Sequence, residues 1–212
     1  MKLLNRPRPS KYQSLASYIR KVSDANHCES LSWMKSLWGI SKGSITLEKM
    51  NCDIADITIK AIKEYIDITD EELRTISIDQ FGVGLWISSN KNGVQVDRSN
   101  FVNEKHTKFC PKCLEEQSYH KIYWQLKDIL VCLDHNTILI EKCENCDSKI
   151  VVEDVINGFC SKCGFNLKAC LQLKCNDNQI IRNQIRLYMA YGIEHKHVYD
   201  EIEKVFITTV TI

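Results

Sequence analysis

Four residue pairs with the same internal spacing follow one another along the chain: Cys110-x-x-Cys113, Cys132-x-x-His135, Cys143-x-x-Cys146 and Cys160-x-x-Cys163. Two residues between thiols make a turn tight enough to aim both sulfurs at one point, with backbone amides left to donate to them. Two such turns complete a tetrahedron around one ion. Eighteen residues separate the first two pairs and thirteen the last two, and buried cysteines placed by chance do not fall into four consecutive pairs. The spacing therefore implies two structural zinc ions, one held by Cys110, Cys113, Cys132 and His135, the other by Cys143, Cys146, Cys160 and Cys163. A catalytic zinc keeps a coordination position open, whereas each of these sites can be closed by four protein ligands. Seven residues lie between His135 and Cys143, more than a RING-type cross-brace has there, so sequential pairing is expected. His106 and His120 flank the first knuckle as alternative ligands, but the Cys-x-x-His spacing favours His135. Metal binding would supply folding free energy to a segment with little core of its own.

The remaining cysteines fit ordinary packing. The chain has 212 residues and 11 cysteines, an odd number that suits a closed disulfide set poorly. The start, MKLLNRPRPSK, has no apolar signal core after Lys2, and no apolar run approaches the ~18 residues of a membrane span. Reduced thiols and a cytoplasmic location are the expectation. Cys28 and Cys52 are expected as buried small hydrophobes; Cys170 and Cys175 lack a further pair for a third site. The formal charge of +1 excludes a whole-protein basic field. Three thiolates at one zinc and four at the other would bring it nearer −2.

Nine cysteines fall between Cys110 and Cys175 and only two before residue 100. This implies three parts: a helical, helix-turn-helix-like N-terminal domain (1–100), a tandem zinc-ribbon module (101–172) and a C-terminal helical segment (173–212). The fold class is mainly α with small zinc-ribbon β elements. Leu15, Ile19 and Val22 repeat on a helix capped by Ser10 or Ser14. Further helices are expected over 30–38, from Ser44 or Thr46, and near Asp53–Ile66. Thr69-Asp70-Glu71-Glu72 resembles a capping box. Lys91-Asn92-Gly93 signals a hairpin turn. The runs Ile122–Trp124, Ile129–Val131 and Ile150–Val152 favour strand. Ile181, Ile185 and Tyr188 form one C-terminal helical stripe, and Val198, Ile202 and Val205 another. Short helices with tight turns suit a helix-turn-helix and a plain helical bundle equally.

Charge is patterned locally. Residues 1–24 hold six basic residues against Asp24, and residues 41–80 hold five basic against nine acidic. Candidate contacts to nucleic acid or a partner are Arg6, Arg8, Lys11, Arg20 and Lys21 in the N-terminal stretch, and Lys105, Lys108, Lys112 and Lys121 around the first knuckle. Tyr119, Tyr123 and Trp124 interleave with the latter. The packing expectation places Trp124 beneath the knuckle and the lysines on the surface. No P-loop and no Gly-x-Ser-x-Gly elbow is present. His27-Cys28-Glu29 only superficially echoes a zinc deaminase, because Pro111 lies inside the later cysteine pair.

Phe109-Cys110-Pro111-x-Cys113-Leu114, then Tyr119, Trp124, Leu126, Cys132-x-x-His135, Leu139 and Cys143-x-x-Cys146 resemble the TniQ/TnsD family of transposition target-selection proteins. So does Arg6-Pro-x-Pro9 followed by Ser14-Leu15-x-Ser17-Tyr18-Ile19. The chain departs from the family where a Pro and a Gly usually accompany the Cys-x-x-His pair, having Leu133 and Asn136, and where Gln13 replaces a frequent Glu. The resemblance implies a non-enzymatic adaptor that links a target-recognising element to a AAA+ ATPase, which recruits the transposase. That element is either DNA-binding domains of the protein or a CRISPR RNA-guided effector complex. The roughly forty residues after the zinc segment point to the adaptor kind. A homodimer is compatible with this reading. The alternatives are a stand-alone helix-turn-helix transcription regulator and a zinc enzyme such as a RING-like ligase.

Overall fold

The computed structural model describes residues 3–28, 46–52, 56–81 and 100–195. The expected helix over 30–38, the turn at Lys91-Asn92-Gly93, the Val198-Ile202-Val205 stripe and the apolar tail 206–212 lie outside them. Among the described residues the chain is mainly helical. The helices are α1 (Leu15–Ala25), α2 (Leu47–Cys52), α3 (Asp56–Ile66), α4 (Asp70–Thr75), α5 (Pro111–Glu116), α6 (Val152–Asn157) and α7 (Asn178–Ala190). Strands β1 (Val131–Cys132) and β2 (Thr137–Ile138) pair antiparallel, Val131 opposite Ile138. No helix among the described residues is long and apolar enough to cross a membrane.

Local chemistry sets the helix starts. The Ser14 hydroxyl accepts from the Ser17 amide and begins α1. Thr69 and Glu72 form the expected reciprocal capping box at α4. The Asp177 carboxylate accepts from the Gln179 and Ile180 amides at α7, whose Ile185 and Tyr188 face inward. Ile122–Gln125 departs from expectation and forms a 3-10 turn. All four of its side chains are buried, whereas a strand would turn alternate ones outward.

A first core joins α1 through Leu15, Tyr18, Ile19 and Val22 to Ile62 and Ile66 of α3, with Leu73 and Ile76. A second holds Phe109, Trp124, Leu126, Ile150 and Tyr188, together with Cys52, Ile78 and Phe81 from before residue 100. The compositional change near residue 100 is therefore no interruption of packing. Neither is that near residue 173, since Cys175, Ile185 and Ile193 share the same core.

Polar bonds knit the cores together. The chain at 12–14 lies antiparallel to 120–122: the Ser14 amide donates to the His120 carbonyl (2.9 Å) and the Ile122 amide to the Tyr12 carbonyl (2.8 Å). The Ser17 hydroxyl accepts from the His120 amide at 2.8 Å. Asn51 accepts from the Ala16 amide (2.9 Å) and donates to Gln125 Oε1 (2.6 Å). Gln125 Nε2 donates to the carbonyls of Asn103 (3.0 Å) and Glu48 (3.3 Å). The Glu48 carboxylate takes the Val152 amide at 2.7 Å, at the first turn of α6.

Gln125 is fully buried at the centre of this network. Replacing it by methionine keeps the volume but strands the Asn51 amide and two carbonyls. The Gln125→Met protein should lose about 2–3 kcal/mol in urea denaturation, as expected for several unpaired buried groups. A midpoint equal to that of the unsubstituted chain would contradict this role for the network.

Candidate metal centre

The first knuckle pair sits where extended chain enters α5. Cys110 precedes that helix, Pro111 occupies its first position, and Cys113 follows one turn on. Cys132 ends β1 and His135 stands in the turn before β2. This hairpin brings the second pair to the first. Cys113 Sγ lies 3.5 Å from Cys132 Sγ, and His135 Nδ1 lies 3.4, 3.3 and 3.5 Å from the sulfurs of Cys110, Cys113 and Cys132. The other four cysteines gather separately, with 3.6 Å between Cys143 and Cys163 and 3.7 Å between Cys146 and Cys160. In each group all four ligand atoms lie within 4.8 Å of one another. A tetrahedral zinc site has edges of about 3.8 Å between sulfurs and about 3.6 Å from sulfur to nitrogen. The grouping is the sequential one, and His106 and His120 are in neither group. None of the eleven cysteines is in a disulfide, so these contacts are not S–S bonds.

The turns show why two-residue spacing works. Backbone amides of Cys146 and Asn145 face the Cys143 sulfur, and those of Cys163 and Lys162 face Cys160. Asn136, Asp147 and Gly164 each follow the second ligand of a pair and take φ of 51°, 54° and 74°. Glycine enters this left-handed region freely, and Asn and Asp are the side chains that best tolerate it. Asn136 therefore fills the place of the usual glycine without changing the turn.

The donor set suits a cation. With protons alone, hydrogen bonds from Cys113 and Cys132 pull the Cys110 thiol far below its ordinary range. The same contacts push Cys113 up to about 12 and Cys132 higher still. One negative charge is thus shared where a metal would stabilise three. Partners around the ligands fit that role. His135 Nε2 donates to Glu116 Oε1 (3.1 Å), which fixes Nδ1 as the ligand atom. The Thr137 hydroxyl lies 3.5 Å from the Cys110 sulfur. Lys121 Nζ donates to Cys113 Sγ (3.3 Å) and Asp134 Oδ2 (2.9 Å), and Asp134 Oδ1 meets His195 Nε2 at 2.8 Å. In the second group the Ser148 hydroxyl lies 3.1 Å from Cys146 and 3.5 Å from Cys160. Sulfur-rich tetrahedral sets of this kind suit zinc, with no position left for substrate.

The expectation of surface lysines fails for two of the nine candidate contact residues. Lys108 and Lys121 were expected on the surface, yet each is only 8% exposed. Lys108 Nζ is spent on the carbonyls of Leu126 (2.8 Å) and Lys127 (3.0 Å), and burial pulls its pKa down to about 8. Burial alone would lower Lys121 too, but Asp134 and, once Cys113 is a thiolate, the charge on its sulfur outweigh it and hold the ammonium firmly protonated. The N-terminal basic residues are exposed or half-buried but engaged within the chain. Arg6 meets Asp67 (3.2 Å), Arg8 meets Glu72 (2.9 Å), and Arg20 meets Asp24 (2.9 Å). Lys11 pairs with Glu194, and Lys21 donates to the Arg8 carbonyl at 2.8 Å. Lys105 and Lys112 are exposed. Trp124 is fully buried, as expected. Cys52 is buried too, whereas Cys28 is only partly so. Sequence reasoning missed Asp134 and Glu116 as partners of the ligands; their positions beside or near a ligand were the available signal.

A protein-family model described as TniQ matches residues 4–139. No curated protein matches the chain.

The two groups differ in exposure. Cys110, Cys113 and Cys132 are buried, while Cys146 and Cys163 are exposed. Metal analysis should find two ions per chain. Under a chelator with iodoacetamide, mass spectrometry should show Cys146 and Cys163 alkylated before any of the first three. The reverse order would contradict the assignment of the first group as the more protected one.

Proposed function

Because the chain belongs to the TniQ family, whose members are transposition-associated, we propose that it is a target-selection adaptor carrying two structural zinc ions. On this reading it joins a target-recognising element, either DNA or an RNA-guided effector complex, to a AAA+ ATPase that recruits the transposase. The observation that carries a binding role, as opposed to a catalytic one, is that each candidate zinc group has four protein ligands and no open position. The partners that fix those ligands, such as Glu116 and Lys121, suit a structural site. A rigid scaffold suits an adaptor, which must hold two partners at a set spacing. Here α1 is bonded directly to the zinc-binding part through Ser14 and Ser17.

The reading is tested by reconstitution with the transposase and ATPase of the same transposon. The zinc-loaded chain should retain the ATPase on an affinity resin in the presence of ATP and DNA. A Cys110→Ser chain, lacking one ligand of the buried site, should retain at least about 10-fold less, since an incomplete structural site loses binding energy of several kcal/mol. Failure to retain the ATPase, combined with tight binding of the chain alone to one duplex sequence, would favour the transcription-regulator alternative.

A further inference from the structure

Beside the first ligand group, and bordered by its Cys113 and His135, lies a cavity of about 430 Å³. Four tyrosines line it: Tyr12, Tyr119, Tyr123 and Tyr188. Tyr123 stands at the centre, its ring 5.6 Å from that of Tyr12 and 5.6 Å from that of Tyr188. Three of the four hydroxyls are occupied. Tyr12 accepts from the Glu194 amide (2.6 Å), Tyr119 donates to the Lys11 carbonyl (3.2 Å), and Tyr188 donates to the Val131 carbonyl (3.1 Å). The Tyr123 side chain is only 3% exposed, and among the described residues its hydroxyl has no hydrogen-bond partner. A nearly buried phenol that lines a cavity and has no hydrogen-bond partner among the described residues points to a ligand.

The charges say which kind. Glu116, Asp134 and Glu194 stand at the cavity against Lys11 and Lys121. Lys121 is committed to Cys113 and Asp134, and Lys11 to Glu194. Glu116 faces the imidazole Nε2 of His135 and no ammonium group. Among these five side chains one carboxylate charge is thus left over, His195 meeting Asp134, in a chamber lined by tyrosine rings, whose faces attract cations and repel phosphate. A guanidinium fits better than an ammonium: it is planar, stacks on tyrosine, is weakly hydrated and can fork onto a carboxylate. The Lys11–Glu194 pair beside the cavity is exposed on both sides, at 62% and 58%, and such pairs are weak enough to yield. We propose that this cavity receives an arginine side chain of a partner protein, with Tyr123 Oη and Glu116 as acceptors. The proposal stands on the cavity alone and does not depend on the transposition reading.

The test uses the full, zinc-loaded chain and capped single amino acids as probes, followed by amide chemical-shift changes in NMR. N-acetyl-arginine amide should shift the amides of 116–123 and 188–195 and saturate at millimolar concentration. Its citrulline counterpart, which is the same shape without the charge, should bind at least about 10-fold more weakly, and the glutamate counterpart should not saturate. Glu116→Gln should reduce arginine affinity about 5-fold. Tyr123→Phe keeps the ring and its packing, should weaken binding about 3-fold, and serves if Glu116→Gln disturbs His135. Equal binding of arginine and citrulline, preferred binding of glutamate, shifts confined to other residues, or undiminished affinity in the Tyr123→Phe chain would each overturn the proposal.

Discussion

Three sulfurs packed within hydrogen-bonding distance beneath a protein surface can all be anions only around a cation, and this constraint organises the larger core. The sulfurs of Cys110, Cys113 and Cys132 come from two elements far apart in sequence, α5 and β1. Drawing them to one point fixes the β1–β2 hairpin against α5. The hairpin in turn anchors α7, because Gln184 accepts from the Leu130 and Val131 amides at 2.8 and 3.2 Å. Among the described residues there is little regular sheet to do this by backbone pairing: β1 and β2 are two residues each. Side-chain ligands and buried amides take over the work that longer strands do elsewhere.

The same centre accounts for several charges that otherwise look misplaced. Lys121 is buried yet remains protonated because thiolate and carboxylate surround it. Asp134 is held as a carboxylate, its proton affinity reduced by the His195 hydrogen bond and by Lys121. His120, fully buried with one bond to Thr107 at 2.6 Å, is kept neutral by burial, its pKa pulled down to about 3. A buried charge persists only where a partner compensates it, and His120 has none.

What was legible in the sequence was local. The x-x spacing of the eight ligands, the Thr69–Glu72 capping box, the Ser14 cap and the Ile185/Tyr188 stripe all depend on residues within one turn of each other. What escaped depended on partners distant in the chain. Lys108 and Lys121 read as surface lysines because nothing near them announces the carbonyls at 126 and 127 or the Cys113 thiolate. The basic N-terminal stretch read as a contact surface, yet Arg6 and Arg8 face Asp67 and Glu72 of the acidic stretch after it and offset them. Residues 122–124 read as strand by composition, but the requirement to bury every side chain of the turn overrode propensity. The resemblance itself gains a physical reason: Ser14, Ser17 and Tyr18 of its N-terminal pattern are the residues that cap α1, bond His120 and fill the first core.

The family match stops at residue 139, immediately after β2, whereas the hydrogen bonds do not. Beyond that point the Ile138 amide still needs the Leu173 carbonyl, the Asn136 carbonyl takes the Cys175 amide, and Lys174 Nζ reaches the His135 carbonyl. The matched stretch is thus smaller than the hydrogen-bonded unit of this chain. A graft that exchanges the part after residue 139 between relatives must carry matching backbone partners on both sides of the seam. Otherwise the hairpin that holds His135 loses one of its two edges. In this chain the constraint falls at a boundary that the family match leaves unmarked.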